Sequence, residues 1–490
     1  MLLLLFFAVT AHASTRPRYG GTLRIELHER IASLDPRQWV AGSSSAASAE
    51  KLAALVFDRL ITMDDFGRPQ PQLAIAWRHD DDYKRWQFTL RSAVRFHDGA
   101  LMTAGEVAGA LQALLGSERQ IIAAGEVVVV QSGNPMPDLL EELASGRYFI
   151  VRTQGHGLPS GTGPFRIVEW SGVPRTRSTA GSSRTDSGLS RTVFGANQDF
   201  WSGRPFLDLV EVTMGVSSQN QFQDLQLGKV DLTELSPDQV RRASQAGLRT
   251  WSSAPVELFA IVFDKEASID SRIRQALSLS VDRAAITNVL LQKLGEPAGG
   301  ILPQWLSGYA FLFSTPADTQ SAQQLRTTTR TVGAASVKPL RLGVGDDDDT
   351  VRLIAERVAL NARQAGLAIQ VIARGEADAR LIRWRLDSIA APAVLLDLTR
   401  ALDLSDESAA TLKKISSNDP EQTYAAERAI IENYRVIPLV YLPETIGLGP
   451  AVRNWMPRRW AEWHLEDVWL DLQTPAPVNP SGAGTAGARP

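Results

Sequence analysis

The fold is decided by residues 340–372, LRLGVGDDDDTVRLIAERVALNARQAGLAIQVI. Leu340 to Val344 alternates as a strand does, Asp346 to Asp349 reads as a loop, and Val351 to Ala365 carries apolar residues at helical spacing. Gly366 closes that helix, and Leu367, Ile369 and Val371 alternate into a second strand. Strand, helix, strand is the α/β unit. The four Asp lack the alternating spacing and the Gly of a calcium loop, and carboxylates are favoured at a helix N-terminus by capping and by the helix dipole. They are therefore expected to start the helix and not to hold a metal.

Toward the N-terminus, Thr22 to Leu27 alternates as a half-buried strand stopped by Leu34-Asp35-Pro36, and Leu52, Leu55, Val56 and Leu60 mark an amphipathic helix. Trp86, Phe88 and Leu90, then Val94 and Phe96, predict two strands ending in a turn at His97-Asp98-Gly99. Thr103 and Glu106 have the spacing of a capping box ahead of a helix that faces Val107, Leu111, Leu114 and Leu115 inward. Arg272 to Leu294 predicts two helices, the second capped by Asp282. Ser171 to Arg191 and Gln320 to Ser336 show no apolar period and are expected to be exposed loops, and residues 474–490 a disordered tail.

At 490 residues the chain is long enough for about two to four domains. The formal net charge of −3 speaks against a basic nucleic-acid footprint, while 44% hydrophobic residues, with 12 Trp and 16 Phe, supply large cores. The absence of Cys removes disulfides, thiolate catalysis and a lipid-modified cysteine, and six scattered His offer a metal little. Leu2 to Val9 is an apolar run too short for a bilayer and is followed by Ala11-His12-Ala13, so residues 1–13 are expected to be a signal peptide, although no basic residue precedes the leucines. No nucleophile elbow, zinc-protease motif or phosphate-binding loop is present, and Gly161 and Gly163 lead into Pro164 and Phe165 as a turn before a strand. No cofactor, no metal site and no enzymatic activity are expected.

The strings YGGTLRIEL, SLDP, VFDRLITMDDFGRPQPQLAIAW, WQFTLRSAVRFHDGALMTAGEV, GTGPFRIVEW, NQDFWSGRPFLDLVEV, LQLGKVDL, RIRQALSLSVDRAAI and AAERAIIENYRVIPLVYLPE follow one another between residues 19 and 444. In this order they resemble the extracytoplasmic solute-binding proteins of ABC importers, the peptide, dipeptide and nickel-binding family 5, a three-domain class. The resemblance implies an α/β fold of the two-lobed periplasmic binding protein kind, with an additional third domain and a hinge between lobes. Domain I would be assembled from 14–45, 156–258 and 437–473, domain II from 46–155, and domain III, the second lobe, from 259–436.

Most matched motifs are expected to be structural. His97 and Asp98 suit a turn, Arg274 a pairing within its own lobe, Trp77 and Trp86 a core, and Trp455, Trp460, Trp463 and Trp469 aromatic packing more than a sugar platform. In peptide-binding members a Trp is followed three residues later by an Asp that pairs with the ligand ammonium, and Trp384 and Asp387 have that spacing. Here Ser388-Ile389-Ala390-Ala391 stands where the family places Pro and Asp. An Asp on a surface loop is the plain alternative for Asp387. The segment before SLDP lies at the ligand cleft in the family, so Arg30, Ile31 and Ala32 are further ligand-binding candidates, through backbone more than side chain. The resemblance implies a monomer that captures a peptide or similar polar solute and delivers it to ABC permease subunits, with no nucleic acid as partner. A receptor or scaffold without transport, and a secreted hydrolase, are the alternatives.

Overall fold

A computed structural model describes residues 16–153, 158–171, 189–267, 269–330, 338–345, 348–386, 388–417 and 419–472. The expected signal peptide and the expected tail lie outside these residues.

One long sheet carries the molecule. Its strands run, side by side, Ile369–Ile372, Leu340–Gly343, Ala379–Arg385, Arg249–Phe263, Val436–Leu448, Leu232–Glu234, Thr22–Leu27, Leu209–Met214, Ser190–Ala196 and Phe165–Trp170. Strand 22–27 buries Leu23, Ile25 and Leu27 and lies parallel to both 209–214 and 232–234. Strand 340–343 is parallel to 369–372 and 379–385, and the helix Asp349–Gln364 returns the chain between the first two.

Strands 249–263 and 436–448 are long enough to belong to two regions at once. Ile446 to Leu448 pairs with 232–234 in the first lobe, while Glu257 to Phe263 pairs with 379–385 in the second. Between these ends the ladder shifts register, with Pro255 opposite Pro443. Neither Pro can donate a ladder hydrogen bond, and such gaps are where paired strands bend. Cores sit on both sides of this crossing: one contains Leu23, Phe165, Phe194 and Val452, another Phe259, Leu342, Ile354 and Val358, a third Leu258, Leu302, Val394 and Val436.

A separate four-stranded antiparallel sheet, Ala74–His79, Arg85–Leu90, Val127–Ser132 and Arg119–Ala124 in spatial order, makes its own core with helix Ala104–Leu115 through Trp86, Phe88, Val107 and Leu111. The helix starts on the expected box, the Glu106 amide donating to Thr103 Oγ1 at 3.3 Å and the Thr103 amide to Glu106 Oε2 at 3.0 Å. Trp86 is 2% exposed and donates Nε1–H to the Met136 carbonyl at 3.0 Å.

Helix 349–364 begins where the acidic run predicts: Asp348 Oδ1 accepts from the amides of Thr350 at 2.9 Å and Val351 at 3.1 Å, while Asp346 and Asp347 lie outside the described residues. It ends at Gly366, φ +76°, where the Leu367 amide reaches the Ala362 carbonyl and the Gly366 amide that of Arg363, a left-handed stop. Asp282 caps the second of two helical segments as expected, accepting from the Ala285 amide at 2.8 Å.

Four local expectations change. Gln320 to Arg330 is helical, within Thr319–Arg330, because Ala322 is fully buried beside Ala276 and Ala365 and Asp318 accepts from the Ser321 amide. Ser190 and Arg191 open strand 190–196 opposite Met214 and Thr213, while 172–188 lie outside the described residues. Val94 and Phe96 form no regular strand; a single bridge, Arg95 to Leu101, frames a tight turn in which Gly99 donates to Phe96. Leu60 lies beyond helix Ser44–Val56, whose Val56 carbonyl is taken by the Gly163 amide at 2.9 Å. A Cβ at Gly161 would stand 1.9 Å from that same carbonyl, so the turn into Phe165 needs Gly there.

Candidate functional site

A narrow cleft lies where helix 44–56, the small sheet unit, the second lobe and the returning C-terminal segment meet. Helix 44–56 supplies Glu50 and Lys51. The segment after it supplies Arg59 and Met63, the short helix Leu139–Leu143 gives Glu141, the second lobe contributes Trp305, Arg385 and Ile389, and the returning C-terminal segment Trp460, Glu462 and Trp463. A second, smaller cleft adjoins it, sharing Glu50, Gly146 and Arg385.

The wall is charged and internally paired. Lys51, 5% exposed, is ion-paired with Glu444 Oε1 at 2.7 Å and donates to Glu234 Oε1 at 2.9 Å. Glu444 Oε2 accepts from Arg385 Nη1 at 2.6 Å, and Arg385 Nη2 reaches the Trp460 carbonyl at 3.0 Å. Helix 44–56, the crossing strand 436–448 and the second-lobe strand 379–385 are thus joined by one line of charges. Burial works against the Lys51 ammonium, but the charges of Glu444 and Glu234 outweigh it and its pKa lies above the ordinary value. Burial likewise raises the Glu444 carboxyl, and Lys51 and Arg385 more than reverse it, so that it is held below the usual carboxylate range. Behind them Arg383 pairs with Glu257 at 2.8 Å and Asp348 at 3.2 Å.

Arg59, 3% exposed, pairs with Glu462 and donates to the Ala144 carbonyl at 2.6 Å. Burial pulls its guanidinium down to about 10. Lys51 lies over the Trp463 ring at 5.3 Å and Arg59 over Phe149 at 5.2 Å, both cation–π distances. Away from the lining, Asp138 accepts from Ser416 Oγ at 3.0 Å and the Ser417 amide at 2.8 Å, tying the small sheet unit to the second lobe.

The expected ligand residues fall as follows. Trp384 is 6% exposed in the second-lobe core, its ring against Gly42, while the Arg385 amide donates to the Gly42 carbonyl at 2.9 Å. Alternation along the strand explains the split: Trp384 faces that core, and Arg383 and Arg385 face the charges. Asp387 lies outside the described residues; its neighbours Leu386 and Ser388 line the cleft. Arg30 and Ala32 are exposed and Ile31 is 2% exposed in the first-lobe core, none of the three lining either cleft. His97 and Asp98 serve their turn, His97 Nε2 meeting the Gly163 carbonyl at 2.9 Å and Asp98 accepting from the Ala100 amide at 3.0 Å. Trp455 and Trp463 pack edge to face at 5.6 Å, the aromatic packing expected of that group. Sequence reading passed over Lys51, Arg385 and Glu444. Their one signal is a charge inside an apolar run, as in LVYLPETIGL, since such charges are rarely buried without partners.

Comparison with known proteins gives the same architecture. The profile of the bacterial extracellular solute-binding proteins, family 5 (middle), matches residues 68–391. Di/tripeptide-binding protein 2 of Pseudomonas aeruginosa is 23% identical over 450 residues, 78% of this chain and 79% of that protein. The nickel-binding periplasmic protein of Escherichia coli is 23% identical over 389 residues, 71% of this chain and 70% of that one. Other relatives match over less, the aligned part spanning 30%, 47% and 32% of three of them. A Pseudoalteromonas dipeptide-binding protein in complex with Met-Leu superimposes with a TM-score of 0.77 at 17% identity, covering 92% of this chain and 100% of that one, a likeness that shows the fold. With a profile match over most of its length and the two-lobed fold in place, the chain belongs to family 5 of the bacterial extracellular solute-binding proteins.

Proposed function

We propose that this chain is the solute-capturing component of an ABC importer, closing its lobes over a peptide or similar polar solute outside the cytoplasm and passing it to permease subunits. The observation that carries this is the cleft itself, walled by helix 44–56, the small sheet unit, the second lobe and the C-terminal segment together. A ligand touching all of them favours the closed arrangement by its differential affinity. The division into domain I (14–45, 156–258, 437–473), domain II (46–155) and domain III (259–436) belongs to this reading, with the lobes hinged within strands 249–263 and 436–448. So do export on a signal peptide ending at Ala13, a monomeric state, and binding in place of catalysis.

Asp387 is the proposed partner of a ligand ammonium, flanked along the chain by the cleft-lining Leu386 and Ser388, while Trp384 and the Arg30 to Ala32 segment, which line neither cleft, are the weaker candidates. Asp387→Asn then lowers affinity for a free-amine dipeptide about thirtyfold, since breaking a buried charge pair costs about 2–5 kcal/mol, and leaves its N-acetylated form little changed. A library of peptides and metabolites read by thermal shift and small-angle scattering tests the whole reading. A cognate solute at a hundredfold excess over Kd adds about 2.7 kcal/mol and compacts the protein. A second reading, a receptor or scaffold, is favoured by the protein's own bonds between the parts that wall the cleft, Lys51 to Glu444 to Arg385 and Asp138 to Ser416. It prevails if no solute shifts the melting temperature.

A further inference from the structure

The walls of the cleft hold two kinds of unmet demand. Three buried N–H groups on lining residues have no hydrogen-bond partner among the described residues: Nε1 of Trp463, which is 2% exposed, Nε of Arg59, 3% exposed, and Nε of Arg385, 7% exposed. Buried donors normally find an acceptor, and three orphans on one cleft point to an oxygen supplied from outside the chain. That oxygen meets cations already matched: Lys51 by Glu444 and Glu234, Arg385 by Glu444, Arg59 by Glu462. A carboxylate brought to them adds negative charge where positive charge is already compensated, whereas a neutral carbonyl adds an acceptor and no charge.

The second demand is Glu141. Its carboxylate lines the cleft, and among the described residues no Lys, Arg or His pairs with it. Burial, with the charge of Asp138 nearby, raises its pKa, and no neighbouring cation offsets this. Met63, Ile389 and Trp460 give the same cleft apolar surface, which strengthens any charge pairing made within it.

Resting on the solute-binding reading above, we propose that the cleft selects a compact cationic solute bearing a neutral carbonyl, a basic amide or short basic peptide, with its cationic group on Glu141 and its carbonyl on the N–H groups of Trp463, Arg59 and Arg385. The site discriminates by charge, taking cations over anions of the same size, and by the carbonyl, taking amides over simple polyamines.

The test uses the full mature chain and probes of fixed size: the dipeptide amides Lys-Ala-NH2 and Arg-Ala-NH2, neutral Leu-Ala, acetylated Glu-Ala, and spermidine, which is cationic but has no carbonyl. Both basic amides are expected to raise the melting temperature most, spermidine and Leu-Ala less, and acetyl-Glu-Ala least. Glu141→Gln, a half-buried position with a conservative replacement, is expected to weaken the basic amides about tenfold by calorimetry while leaving Leu-Ala unchanged. Trp463→Phe is expected to weaken the amides and leave spermidine unchanged. Equal binding of the basic amides by wild type and Glu141→Gln overturns the inference, as does preference for the anionic dipeptide. If neutral or anionic dipeptides bind and basic amides do not, the inference fails while the solute-binding reading stands; if no probe binds, the inference fails and the library screen decides the solute-binding reading.

Discussion

Gly42 and Glu427 show how single residues set conditions for the rest. Gly42 has φ +70°, and a Cβ there would stand 2.2–2.5 Å from three atoms of the Trp384 ring. Gly42→Ala therefore combines a left-handed backbone penalty with a clash against a rigid ring, and is expected to destabilise by about 2–4 kcal/mol, read from the urea midpoint. Glu427 is fully buried and accepts from the Ile301 amide at 2.5 Å, the Leu302 amide at 3.0 Å and Tyr309 Oη at 2.9 Å. Burial nevertheless pushes its carboxyl up from 4.5 to about 7. The folded protein thus keeps a proton that the unfolded chain has released, and its stability falls as pH rises from about 4.5 to 7 and is flat above. The loss amounts to about 3 kcal/mol, and Glu427→Gln, which cannot ionise, is expected to flatten that slope in denaturation series across pH.

Elements were legible in proportion to their periodicity. Strand 22–27 and helix 349–364 could be read because their apolar residues repeat and their ends carry Asp348 and Gly366. Helix 319–330 could not, since its buried contact is made by small Ala322 against Ala276 and Ala365, with Leu325 half-buried beside them, while Gln320, Gln323, Gln324 and Thr327 are exposed, leaving a thin apolar stripe. A small-residue contact tolerates little growth. Ala322→Leu is expected to cost about 1–3 kcal/mol by thermal or chemical denaturation, whereas an exposed neighbour such as Gln323→Leu costs little. The cleft was less legible than the elements. Lys51 meets Glu444 and Glu234 across hundreds of residues of chain, so no local window contains the pattern. Trp384 drew attention by its spacing to Asp387, yet the same strand turns Arg385 and not Trp384 toward the cleft. Spacing along a strand cannot tell which face is the ligand's until the neighbouring strands are known.

At the scale of the molecule, the Lys51, Glu444 and Arg385 line runs from helix 44–56 through a crossing strand into the second lobe. Lys51→Met removes a buried charge and leaves Glu234 and Glu444 undercompensated, so it is expected to cost about 3–5 kcal/mol. Calorimetry and small-angle scattering check both parts of the expectation: a lower melting temperature and a larger radius of gyration. The crossing strands carry a further consequence, for synthesis. The first-lobe sheet is completed by Ile446 to Leu448, and its core by Val452, Trp463 and Leu470, although its first strand is Thr22–Leu27. A ribosome must deliver nearly the whole polypeptide before that core can close. Until then the early strands wait for partners that come last in the chain, so the first core is expected to close only as synthesis ends.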